Sequence, residues 1–206
     1  MHANTAAPTP LTQSHSQPWV ARRPLPLPVG LVALAFPWLF SSPWPVVALA
    51  CAAVIGFRLL AACDVPWPRR ATVGGGGSRD DIWLACGVCL TYLWSATDPL
   101  AYCIAILVLA FGLTAAALVR ARCAPSGHAS GGAGKSGAGS LALFVTALTI
   151  ASAALIAGAG LRPGESLAAA LLLATVTTGI EASVGDGPDI LLVPVGALVA
   201  LEFATL

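Results

Sequence analysis

The residues able to do chemistry are few, and they gather in three places. The first is the run Ser126–Ser140, where glycines at 127, 131, 132, 134, 137 and 139 surround Lys135, the chain's only lysine. The second is the pair Arg120 and Arg122, just before that run. The third is Glu181 with the segment Ser183-Val-Gly-Asp-Gly-Pro-Asp189, which holds Asp186 and Asp189. A glycine-rich backbone is free to adopt positive φ and can turn its N–H groups toward an anion, and an ammonium among them adds a point charge. The following Ser-Leu-Ala-Leu-Phe run opens a helix whose first N–H groups also favour phosphate. Two carboxylates, a lysine and such a loop have the makings of a nucleotide–magnesium site, because Mg²⁺ usually takes one or two carboxylates together with substrate phosphates. The plainer readings are a flexible linker for 126–140 and ordinary turn residues for Asp186 and Asp189 beside Gly185, Gly187 and Pro188.

The elements that must position these groups are helices in lipid. Hydrophobic residues make up 57% of the chain and charged ones 9%, with a mean hydropathy of +0.85. A soluble domain carries about a quarter charged residues, so composition excludes a soluble globular protein. A net charge of +1 argues against a nucleic-acid partner. The alternating ten-residue pattern of a membrane barrel is missing, whereas apolar runs of about 20 residues recur. The expected fold class is all-α, a polytopic membrane bundle of six to seven transmembrane helices.

Residues 1–26, with Pro8, Pro10, Pro18, Pro24 and Pro26, read as a disordered tail. Arg22-Arg23 before an apolar run resembles a secretory leader. No small-residue cleavage site follows and prolines interrupt the run, so it is read as an uncleaved first span. The transmembrane domain occupies 27–206, with spans at about 27–41, 45–62, 82–97, 99–119, 140–160, 166–183 and 189–205. The first is short and carries Pro37. Placing the tail in the cytoplasm puts Arg22, Arg23, Arg58, Arg69, Arg70, Arg79, Arg120, Arg122 and Lys135 inside and only Arg162 outside, as the positive-inside bias requires. The protein is therefore expected in the cell membrane with a cytoplasmic N-terminus. Trp38, Trp44, Trp67, Trp83 and Trp94 fall near span ends, as an interfacial belt requires. Ala147, Ala151, Gly158 and Gly160 offer close helix approach. Cys51, Cys86, Cys89 and Cys103 lie inside apolar runs and read as small packing residues; His2, His15 and His128 are scattered, and no zinc site is legible.

On this topology Arg120, Arg122, Lys135, Glu181, Asp186 and Asp189 all face the cytoplasm. An ionisable residue within a span, as Glu181 is if the span runs through it, is a functional candidate by default. Ala129-Ser-Gly-Gly-Ala-Gly-Lys135-Ser136 fits a loosened Walker A pattern, but that motif needs a preceding strand. A lipid-type helix precedes it here, which argues against a P-loop NTPase.

Three segments resemble the phytol kinase/dolichol (polyprenol) kinase-like family of membrane lipid kinases. Gly134-Lys-Ser-Gly-Ala-Gly-Ser-Leu-Ala-Leu-Phe144 is similar to the family's Gly-Lys-Ser-x-Glu-Gly-Ser-x-Ala-x-Phe. The span from Asp98 through Gly112 to Val119 resembles one ending in Gly-Asp-x-x-Ala-x-x-Val-Gly-Arg. Glu181-Ala followed by Asp189-Ile-Leu-Leu-Val-Pro194 resembles Glu-Ala…Asp-Asn-x-x-x-Pro. Arg69-Arg70 also fits, and the resemblance covers about 69–206. It implies phosphate transfer from CTP, or another nucleotide such as ATP, to a prenyl alcohol, with Mg²⁺ as cofactor. It further implies that Lys135, Ser136, Gly139 and Ser140 contact phosphates, joined by Arg120, Gly132 and Gly134, and that Glu181 and Asp189 form a catalytic, metal-holding group with Lys135. The chain departs from the pattern at three polar positions: Leu113 stands where the family has Asp, Ala138 where it has Glu, and Ile190 where it has Asn. Lost charge at these places weakens the neutralisation that phosphoryl transfer relies on. A catalytically silent relative, a cytidylyltransferase of similar architecture and a small transporter are the competing readings; a transporter would show polar or broken helices at mid-bilayer.

Overall fold

A computed structural model describes residues 26–62, 78–95, 98–123, 136–184 and 187–205. Among them every regular element is helical, and no strand occurs. In chain order these are α1 (Pro26–Ala33), α2 (Phe36–Leu39), α3 (Trp44–Ala62), α4 (Ser78–Trp94) and α5 (Pro99–Leu107). A π turn over Val108–Gly112 leads into α6 (Leu113–Cys123). Then come α7 (Gly137–Ala154), a second π turn over Leu155–Ala159, α8 (Pro163–Ser183) and α9 (Pro188–Thr205).

Three helices among the described residues are long and apolar enough to cross a membrane: Pro99–Arg120, Gly137–Ala159 and Pro163–Ser183, of 22, 23 and 21 residues. At a rise of 1.5 Å per residue each reaches roughly 30–35 Å, the thickness of a hydrocarbon core. Leu27–Leu39, Trp44–Gly56 and Ile82–Trp94 are apolar but shorter. Leu141, Val145, Ile156, Leu171 and Phe203 are exposed, so the outside of the bundle is greasy. The hydroxyls of Thr146, Thr149, Ser152 and Thr175 each donate to the carbonyl four residues back. Hydroxyls satisfied within their own helix are what a solvent without hydrogen bonds demands.

Local chemistry sets the helix ends. Asp98 caps α5 by accepting from the N–H groups of Leu100 (3.0 Å) and Ala101 (3.1 Å), with Pro99 at the first helical position. Ser136 caps α7 by accepting from the Gly139 N–H at 3.3 Å. Gly160, at φ 62°, ends the π turn after α7 in the left-handed region. A Cβ there would meet nothing within 4 Å, so this glycine serves the backbone and not the helix contact expected of it. Gly158 does serve a contact: a Cβ would lie 2.7 Å from Leu100 Cδ1.

The expected first span, 27–41, is not one helix. Pro37 has no N–H to continue the ladder, and the segment breaks into α1 and the four-residue α2. Two tyrosines take up carbonyls around the break: the Tyr102 hydroxyl donates to Ala33 O (2.9 Å) and the Tyr92 hydroxyl to Phe40 O (2.7 Å). Tyr92 packs edge-on against both Tyr102 and Phe36.

The main core joins α5, α7, α8 and α9 through buried small residues, among them Ala147, Ala151, Ala170, Ala174 and Ala197. Without larger side chains the helix axes can draw together. Gly112 works the same way, since a Cβ there would sit 2.6 Å from Leu143 Cδ1.

Candidate functional site

Contacts between helix ends gather the polar residues. Arg120 lies in the last turn of α6, Ser140 in the first turn of α7 and Glu181 in the last turn of α8. The Arg120 guanidinium pairs with Glu181 Oε1, and the Ser140 hydroxyl donates to Glu181 Oε2 at 2.8 Å. One carboxylate thus ties three helices at one end of the bundle. The Glu181 side chain is wholly buried and that of Arg120 is 16% exposed. A lone carboxylate buried in such surroundings would be costly, and the guanidinium beside it offsets that cost.

Gly139 makes the arrangement fit. A Cβ at this position would lie 2.6 Å from Arg120 Cγ and 3.0 Å from its Cδ, so the arginine stem lies across the bare backbone of α7. The Arg120 Nε is buried and has no hydrogen-bond partner among the described residues.

Asp189 stands close by in sequence, at the head of α9. It is buried, and its Oδ1 accepts from the N–H groups of Gly187 (2.9 Å) and Ile190 (3.0 Å). Gly187, at φ 108°, supplies the turn just before Pro188. Asp189 therefore serves as a buried turn cap, the plainer role foreseen for it, whatever else it does. At the far end of α9, about 20 Å away at 1.5 Å per residue, Glu202 accepts from Trp94 Nε1 at 3.2 Å.

Of the expected site residues, the structure brings together Arg120, Gly139, Ser140 and Glu181 and sets Ser136 at the cap of the same α7 turn. Gly132, Gly134, Lys135 and Asp186 lie outside the described residues. Arg122 is exposed. Two of the three departures from the family pattern are absorbed into packing: Leu113 packs against both apolar clusters and Ile190 against one of them, while Ala138 is exposed.

Reading the sequence missed the direct pairing of Arg120 with Glu181, although a signal existed. In a chain with so few charges, an arginine and a glutamate at the same ends of two apolar runs have little else to bind. Gly139 was expected to touch phosphate, and its visible duty is to admit Arg120.

The expected Mg²⁺ can be tested against these donors. Both oxygens of Glu181 are engaged, one by a cation and one by a hydroxyl. Among the described residues no group of three His, Cys, Asp or Glu could hold a metal ion. Glu181 does not fit as a ligand in this arrangement, because a second cation would have to displace the guanidinium. Comparison with protein-family models, with curated proteins and with solved structures found no match.

Proposed function

We propose that this protein is a multi-pass membrane protein of six to seven spans with a nucleotide-binding end facing the cytoplasm, acting as a lipid kinase of the phytol/dolichol type. The observation that supports the reading is the tie of Arg120 and Ser140 to Glu181 at the head of the helix that follows the Lys135 loop. The guanidinium held by Glu181 and the α7 N-terminus share one end of the bundle, next in sequence to the glycine-rich run with Lys135, and that combination suits a chain of phosphates. Lys135 neutralises phosphate charge, Ser136 and the α7 N-terminus orient it, and Asp189 orients the alcohol. The hydroxyl oxygen of a prenyl alcohol, arriving laterally from lipid, forms the new O–P bond. The bond from the terminal phosphorus to the nucleotide's bridging oxygen breaks, and the hydroxyl proton leaves to solvent.

The test is phosphate transfer by the purified protein in detergent from labelled CTP or ATP to phytol, polyprenol and dolichol with Mg²⁺ present. Labelled prenyl phosphate should form, and Lys135→Ala should lower its rate by on the order of 100-fold, as loss of one phosphate-directed charge does in a dry site. No product at any protein concentration would overturn the kinase reading. It would leave the catalytically silent relative, which the packing of the partly buried Leu113 and Ile190 against the apolar clusters favours.

A further inference from the structure

We infer that the resident counter-charge of Glu181 is the Arg120 guanidinium and not a divalent cation, so that Arg120, Ser140 and Glu181 form a metal-independent latch closing α6, α7 and α8 at this end. The inference holds whether or not the chain transfers phosphate.

The argument is one of donors and space. A carboxylate has two oxygens; here Oε1 meets the guanidinium and Oε2 the Ser140 hydroxyl. The cation is built in at the cost of a side chain at position 139, since the Arg120 stem fills the space of that Cβ. A glycine that admits an arginine, a serine aimed at the second oxygen and complete burial of the acid are three separate features that suit an ion pair. They do not suit a metal site, which needs oxygen ligands converging on one point. Nor are the three partners neighbours in sequence. They come from the end of one helix, the start of the next and the end of a third, so the pair fastens helix ends flanking the Gly-rich connection. Glu181 is thus a positioning residue that holds Arg120, and not a ligand.

The full chain, purified in detergent, is melted in EDTA and in millimolar MgCl₂ or MnCl₂, and Mn²⁺ binding is followed by its EPR signal. Wild type should melt at the same temperature in all three. Glu181→Gln and Arg120→Gln should each lower the midpoint by roughly 10 °C, and the double variant by no more than the worse single one, since both remove the same pair. Arg120→Gln, in which Glu181 has lost the guanidinium, should gain a stabilisation by Mn²⁺ that wild type lacks. The inference is overturned if the cation raises the wild-type midpoint and Glu181→Gln abolishes that rise. A rise undiminished in Glu181→Gln comes from another site and upholds it. Should Glu181→Gln not fold, Arg120→Gln decides the matter: an equal Mn²⁺ response there and in wild type overturns the latch.

Discussion

Gly139 gives the tightest test at the scale of single residues. A methyl group there would intrude on the Arg120 stem, with 2.6 Å to Cγ, a distance at which one of the two must move. Gly139→Ala should therefore destabilise wild type by about 2–4 kcal/mol, close to the cost of dislodging one partner of a buried pair. In an Arg120→Ala background the same methyl enters vacated space, and the further cost should fall below about 1 kcal/mol. Denaturation midpoints of the two singles and the double in detergent give the coupling; additive losses would mean that Gly139 matters for another reason. Which residues could bear charge was plain from the sequence, because so few do. Their pairing was not, because Arg120 and Glu181 are 61 positions apart and no local pattern links them.

Helices were the most legible feature at the scale of elements. Apolar runs at 99–119, 140–160 and 166–183 announced the helices that begin at Pro99, Gly137 and Pro163, where the structure shows a capping oxygen or an N1 proline starting each for local reasons. The two π turns were not legible, because each depends on one extra residue accommodated against neighbouring helices. Nor was the support of the broken first helix, where Tyr102 reaches back 69 residues to the Ala33 carbonyl. Tyr102→Phe keeps the ring and removes the donor, leaving a buried carbonyl without its partner. It should cost about 1–2 kcal/mol, and Tyr92→Phe, whose acceptor Phe40 O is part-buried, should cost less. Thermal melts of the two variants check the order, and a larger loss for Tyr92→Phe would show that the break is held mainly from α4.

At the scale of the whole molecule, the proposed orientation follows from charge and can be read chemically. Arg122 and Arg162 are both exposed, and they stand at opposite ends of the long helices, Arg122 beyond α6 Arg120 and Arg162 before α8. In a chain whose native cysteines are replaced, Arg162→Cys should react with a membrane-impermeant maleimide on intact cells. Arg122→Cys should react only after lysis. Labelling of both from outside would remove the cytoplasmic placement of the Arg120 end, and with it the access of a cellular nucleotide.

Taken alone, the sequence determined that this chain is apolar and helical. A chain 57% hydrophobic and 9% charged suits lipid, where backbone polarity has to be satisfied within helices. It placed the starts of α7 and α8 three residues late, at 140 and 166 against Gly137 and Pro163. Only the tertiary structure decided what the polar residues do. Glu181, foreseen as a metal holder, is bound by Arg120 and Ser140, and Gly139, foreseen at a phosphate, makes room for an arginine. Hydropathy and capping are sums over neighbours in the chain, whereas a buried charge takes its partner from whichever helix end the packing of small residues brings beside it.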